Sequence, residues 1–243
     1  SEIVEFTPRD SLARRRLGDL YRAHSWFDEA YRQYQTLMTL EPNDQSVLLL
    51  LAMAAAGAGH IEEALGLEQR VISTSEPGSE TGVSKTALWQ TSLRLAQLRE
   101  EARAKSDAEG LARLFLRTQK AGAMGLAKPL RVLLTWAHPE ADLDLRIAAP
   151  DETFGPANDL APQLGFLGWH SHKTASVDGA YQIEVVRRDR PGALKYGGEL
   201  SVIVHEGEKT EKLWRLPLSF AGSATTARFV LRGGKVEKVE TQE

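Results

Sequence analysis

Leu17-Gly18 followed by Tyr21, then Ala30, Tyr34 and Pro42, restricts the fold of this chain more than any other feature. Gly18 lacks a Cβ, so a second helix can approach the first closely there. Leu17 and Tyr21 are four apart and share a helix face. Ala30 is small enough for a tight crossing, and Tyr34, one turn on, fills the remaining gap. Pro42 stops the second helix and opens the next unit. The spacing predicts helices over 10–24 and 27–40, with Asp10 or Ser11 as the first N-cap.

The pattern returns further along the chain. Leu48, Leu51, Ala52 and Ala55 stand 34 residues after Arg14, Leu17, Gly18 and Tyr21, and Ala64 stands 34 after Ala30. Pro77 falls one residue late relative to Pro42. The second copy predicts helices over 44–57 and 61–74, with Gly57 and Gly59 forming the turn. A third pair, 84–104 and 107–120, is helical in composition and period. Leu95-Ala96 and Ala108 follow Leu51-Ala52 and Ala64 by 44 residues, with the excess of ten in the 75–83 loop. It reads as a degenerate third repeat or a capping hairpin. Units of this kind cannot bury their apolar faces alone, so a stack needs about three.

These residues resemble the tetratricopeptide repeat over about 10–120. Arg14 stands where that family has a bulky aromatic, and Leu37 where it has a small residue. In the second copy Ala55 and Glu68 replace aromatics. The resemblance implies a curved scaffold that holds another protein or peptide. It puts Arg15, Asp19 and Arg22 at ligand-facing positions, with Leu49, Met53 and Ala56 as their counterparts 34 residues on. The run Arg14-Arg15-Arg16 is either a solvated face or a contact for an acidic peptide. Residues 47–58 carry no charge, and a helix apolar all round must be buried on every side. Its concave side, Leu49, Met53 and Ala56, is expected to lie under the chain's own β-domain or under a partner.

Composition narrows the remaining classes. The 243 residues, 42% hydrophobic, suffice for two cores. Of 30 basic and 33 acidic residues, 15 and 17 precede Met124, so neither half is a basic nucleic-acid binder. With no cysteine there is no disulfide, thiolate zinc ligand or thiol nucleophile. The uncharged 47–58 run is too short for a transmembrane helix, which needs about 20 apolar residues. The opening Ser-Glu-Ile-Val-Glu has neither an initiator Met nor the features of a leader. Either a leader has been removed or this is the C-terminal part of a longer protein, and the abrupt start of the repeats near residue 10 favours the second.

After Lys120 the pattern changes from helical to extended. A Gly/Ala-rich linker spans 121–128. Strands are expected over 130–136, 142–148, 180–188, 199–205, 212–220, 226–231 and 236–240. Tyr181, Ile183 and Val185 alternate with Gln182 and Glu184. Gly207 and the Gly233-Gly234 pair mark hairpin turns. About seven strands without intervening helices predict an antiparallel β-sandwich with one solvated face per sheet. Residues 151–174 are poorly patterned and read as a functional loop or an irregular crossover. The expected fold is therefore α+β in two domains: a helical repeat at 10–122 and a sandwich at 129–240.

Arg131-Val132-Leu133-Leu134-Thr135-Trp136, Asp142-Leu143-Asp144-Leu145-Arg146-Ile147 and Gly179-Ala180-Tyr181-Gln182-Ile183-Glu184-Val185 carry a second resemblance. They are similar to an uncharacterised bacterial β-sandwich domain. That domain is found at the ends of large surface or envelope proteins, alongside von Willebrand factor A-type and inter-α-trypsin-inhibitor-type regions. After Pro150 the chain departs from it, with Asp151-Glu152-Thr153-Phe154-Gly155 in place of an Asn-Gly turn. The resemblance implies no enzymatic activity and favours the bacterial periplasm or envelope, without excluding the cytoplasm.

Two clusters invite a metal. Glu140, Asp142 and Asp144, with Asp151 and Glu152 beyond the next strand, supply carboxylates for calcium at a sandwich edge. The alternative is a solvated strand face. Trp169-His170-Ser171-His172 puts two imidazoles on one side of an extended segment, with His138 or His205 as a third zinc ligand. A pair of surface histidines is the plainer alternative. No Gly-x-Ser-x-Gly elbow and no phosphate loop before a helix is present. The expected function is a non-enzymatic interaction or assembly module with a protein or peptide partner. The alternative is a calcium- or glycan-binding sandwich using the Asp142/Asp144 edge.

Overall fold

The computed structural model describes residues 9–74, 82–122, 128–138, 141–150, 155–156, 158–171, 179–188, 196–220 and 226–242. The fold is α+β, with helix hairpins first and antiparallel sheets after them. The chain divides into two compact units. One is Ser1–Thr91 with Ala137–Pro139, and the other is Ser92–Trp136 with Glu140–Glu243.

The described helices are α1 (Ser11–Ala23), α2 (Phe27–Leu40), α3 (Gln45–Gly57), α4 (Ile61–Thr74), α5 (Gly82–Ala104) and α6 (Ala108–Gly122). Three of them begin behind an aspartate cap, of which Asp10 was expected. Asp10 Oδ1 accepts from the Ala13 amide at 3.0 Å, and Asp44 Oδ1 from the Ser46 and Val47 amides at 2.8 and 3.3 Å. Asp107 does the same for Gly110 at 2.8 Å and so opens α6.

The three hairpins close with one turn. Ser25, Gly59 and Ser106 have φ of 60°, 88° and 54°, in the left-handed region. The following amides, of Trp26, His60 and Asp107, each donate to the carbonyl five residues back, on Tyr21, Ala55 and Ala102, at 2.9 Å. This is the Schellman closure. It repeats at 34 residues between the first two hairpins, from Ser25 to Gly59, and at 47 between the second and third, from Gly59 to Ser106. That last offset exceeds by three the 44 suggested by Leu95 and Ala108. Helix α5 itself has 23 residues where α1 and α3 have 13. The offset of 47 thus exceeds 34 by 13 residues, ten of them in the longer helix and three in the segment between α4 and α5, rather than all in the loop.

Inside the first unit, the close approach at Gly18 is real. A Cβ built there would sit 2.6 Å from Tyr34 Cε1. Ala30, Tyr34 and Ala64 are buried, and in α3 every residue from Val47 to Ala52 is buried. Glu68, the counterpart of Tyr34, is also fully buried, and its Oε2 accepts from the Thr91 hydroxyl at 3.3 Å.

The second unit holds ten described strands, three more than expected. The seven expected runs are β1 (Leu130–Trp136), β2 (Leu143–Ala148), β6 (Tyr181–Arg187), β7 (Tyr196–Val204), β8 (Lys212–Phe220), β9 (Thr226–Arg232) and β10 (Lys235–Gln242). The poorly patterned 151–174 segment adds β3 (Gly155–Pro156), β4 (Asn158–Ala161) and β5 (Phe166–His170). Strand β5 escaped notice because Phe166, Leu167 and Gly168 are all buried, which erases the two-residue alternation.

One sheet runs β4-β5-β1-β7-β8 and the other β10-β9-β6-β2-β3, all antiparallel. Between them lie Val132, Leu134, Trp136, Leu145, Ile147, Ile183, Val185, Val202 and Phe229. The Gly233-Gly234 turn has φ of 56° and 67°, the two left-handed residues of a type I′ hairpin. The outer faces differ. On the second sheet Asp144, Arg146, Glu184 and Arg228 are partly exposed, as expected of a solvated face. On the first sheet Arg131, Leu133, Ser201 and Ile203 point away from the core yet are buried. The expectation of a solvated face on each sheet thus fails for part of the first: β1 is buried on both sides, while Arg215, Pro217 and Ser219 on β8 keep the outer face exposed there.

Candidate partner-binding face and the polar clusters

The positions expected to face a ligand in the first hairpin form a connected polar row. Arg15 and Asp19, one turn apart on α1, are ion-paired at 3.4 Å. Asp19 Oδ1 also accepts from the Tyr34 hydroxyl at 2.6 Å. Burial pushes the Tyr34 phenol far above its ordinary value; the Asp19 carboxylate adds to this, and the nearby Arg22 opposes it. Tyr34 therefore stays a donor and holds Asp19 in place. Arg22 is buried, and its Nη1 lies 3.6 Å from Met53 Sδ on α3. That contact joins the candidate residues of the first hairpin to those of the second.

The second-hairpin residues are not equally accessible. Met53 and Ala56 are partly exposed, while Leu49 is enclosed by the chain, at 0% exposure. The accessible part of the row is Arg15, Asp19, Met53 and Ala56. Arg14, from the same basic run, donates to Gln33 Oε1 at 3.1 Å and is engaged within its own hairpin.

The acidic edge is arranged differently from a cation site. Asp144 Oδ2 accepts from Arg146 Nε at 3.1 Å and from Arg188 Nη2. Burial would raise the Asp144 carboxyl, but the bonds from Arg188 and Arg146 outweigh it and hold the group below its ordinary range. Asp142 precedes β2, and its carbonyl accepts from the Arg188 amide at 2.8 Å. A cation at Asp144 would compete with two guanidinium groups already in place. Glu140, Asp151 and Glu152 lie outside the described residues. Among the described residues no group of three His, Asp or Glu side chains is placed to hold a metal ion.

Trp169 and His170 lie on strand β5, not in a loop. Trp169 packs against the sandwich core with its ring centroid 6.1 Å from that of Tyr181. His170, the next residue, points to the opposite face. His172 lies outside the described residues. His205 sits in the β7–β8 turn with φ 54°, 3.7 Å from Glu208.

Several polar residues had no signal in the sequence. Arg99 and Glu211 form a buried ion pair, with a 2.8 Å Arg99 Nε–Glu211 Oε1 bond. Arg103 joins Glu211 at 3.3 Å, and the Gly207 amide donates to its other oxygen at 2.7 Å. Arg131 and Glu206 form a second buried pair at 3.0 Å, with the Lys128 amide also on Glu206 at 3.1 Å. The two ion pairs join residues 75 and 112 apart, separations no local pattern can report.

Together these features define a two-unit α+β protein: serial helix hairpins with a polar row on the first that meets Met53 of the second, and an antiparallel β-sandwich. Compared with known proteins, the chain matches no family model and no curated protein. Among the described residues no helix is long and apolar enough to cross a membrane.

Proposed function

We propose that the chain is a non-enzymatic protein–protein interaction module whose helix hairpins, of tetratricopeptide type, hold a peptide segment of a partner. The observation that carries this reading is the Arg22–Met53 contact. It makes the row Arg15, Asp19, Met53 and Ala56 continuous across two hairpins, as a scaffold for an extended peptide requires. Tyr34 and Asp19 preorganise the row, which lowers the ordering cost of binding. The reading favours a peptide with carboxylates toward Arg15 and an apolar side chain on Met53. The sandwich, similar to domains of bacterial envelope proteins, serves in this reading as a second assembly element.

Peptides selected from a random library on the full chain test this, followed by titration against variants. Met53→Asp and Arg15→Glu should each weaken the selected peptides at least tenfold. Peptides that bind both variants as tightly as the parent would sink the proposal.

A further inference from the structure

Helix α1 has a second unusual face. Leu12, Arg16, Leu20 and His24 are spaced by four residues, and all four are exposed, as is Trp26 just beyond. The exposure is large for apolar side chains: Leu12 59%, Leu20 51% and Trp26 54%. Residues four apart form one ridge along a helix. At about 100° per residue the ridge lies opposite Gly18, which packs on Tyr34. The His24 and Trp26 rings are 5.3 Å apart, and Tyr21 and Trp26 are 5.9 Å apart, so an aromatic cluster closes the lower end.

The second helices of the first two hairpins, α2 and α4, look different. On α2 the exposed residues are Asp28, Arg32, Gln35 and Thr39, and on α4 they include Glu62, Glu63, Gln69 and Arg70. A helical array normally presents a polar outer face to water. An apolar ridge with an aromatic foot is instead what a helix-on-helix interface requires.

The charge on the ridge selects the occupant. Arg14 and Arg15 are engaged by Gln33 and Asp19, whereas Arg16 stands exposed midway between Leu12 and Leu20. A second copy laid across this ridge in the register that covers it fully, parallel or antiparallel about Arg16, would bring Arg16 against Arg16, and like charges across an interface are unfavourable. No carboxylate lies on the ridge to relieve this. We propose that the ridge Leu12–Arg16–Leu20, with Trp26 at its foot, docks an amphipathic helix of a partner protein that carries a carboxylate between two apolar residues. The ridge spans about 18 Å from Leu12 to His24, so three turns of partner helix cover it. This surface is separate from the Arg15–Met53 row and stands whether or not that row binds a peptide.

The test uses the full chain and two labelled synthetic helices. One carries Leu-x-x-x-Glu-x-x-x-Leu on one face, and the other has Lys in place of Glu. Fluorescence anisotropy should show saturable binding of the Glu helix at least tenfold tighter than the Lys helix. Arg16→Glu should invert that preference. Leu20→Asp, or Leu12→Asp if the first variant melts early, should abolish binding, while Met53→Asp leaves it unchanged. Absence of saturable binding overturns the proposal. So does binding lost in Met53→Asp but kept in Leu20→Asp, which would assign it to the other row. A dimer in sedimentation that Leu20→Asp dissolves would assign the ridge to a second copy. A tenfold gain in binding on removing residues 1–8, which include Ile3, Val4 and Phe6, would assign it to that segment.

Discussion

Arg99, in the C-terminal half of α5, and Glu211, in the β7–β8 turn, lie 112 residues apart and share a fully buried two-point ion pair. The pair anchors a helix to a hairpin that has two left-handed residues, His205 and Gly207. The unit is thus a sandwich with a helical segment tied to it by charge. Breaking a buried ion pair by removing one partner typically costs about 3–5 kcal/mol, and here Arg103 and the Gly207 amide stay on Glu211 when Arg99 is replaced. Glu211→Gln or Arg99→Met should therefore lower the urea midpoint of the second unit strongly. The double change Arg99→Met with Glu211→Leu should recover much of that loss. Equal losses in single and double variants would show that the pair is not what holds the helix.

Gly18 sets two effects against each other. Alanine is favoured over glycine in a helix interior by about 1 kcal/mol. Here the added methyl meets the buried Tyr34 ring at 2.6 Å, and overpacking of this kind costs about 1–3 kcal/mol. Gly18→Ala should be net destabilising in denaturant unfolding. Tyr34→Leu in the same chain should offset part of the loss by making room.

Asp144 should make the protein more acid-sensitive. Its folded carboxyl is held low, mainly because the bonds from Arg188 and Arg146 exceed the effect of burial. A folded value below the unfolded one stabilises above the unfolded range, near pH 4, and the contribution fades as pH falls through the folded value. The stability gap between the parent and Asp144→Asn should shrink as pH is lowered from about 5 to about 3. A gap constant across that window would refute the assignment.

Tyr31 should report at the alkaline end. Its hydrogen bond to Glu63, then burial, then the Glu63 charge push the phenol from 10.0 to about 12. Because the folded value is raised, its stabilisation is present below the unfolded value and is lost between pH 10.0 and about 12. In an ultraviolet titration Tyr31→Phe should remove a late-ionising tyrosine, and Glu63→Gln should move that ionisation to lower pH.

Much of the helical unit was legible because its signals are local. Asp10 and Asp44 cap the helices they precede, and Gly59 sits in the left-handed turn its type suggests. The alternating run at Tyr181–Val185 became a strand for the same reason, since a half-buried strand writes its two faces into its own residues. Strand β5 was missed because burial on both sides removes that signature. The left-handed serines at 25 and 106 were equally silent, because nothing in Ser marks a left-handed residue. Of the candidate face, the positions came from the 34-residue offset, but the loss of Leu49 to the interior did not.

By itself, the sequence determined the order and type of the elements, because caps, periodicity and turn residues act over a few positions. Only the tertiary structure decided which faces stay open. It closed Leu49 and the outer side of β1, left Leu12, Leu20 and Trp26 in water, and matched Arg99 to Glu211 and Arg131 to Glu206. Burial and charge pairing depend on what arrives from far along the chain, and no short stretch of residues carries that information.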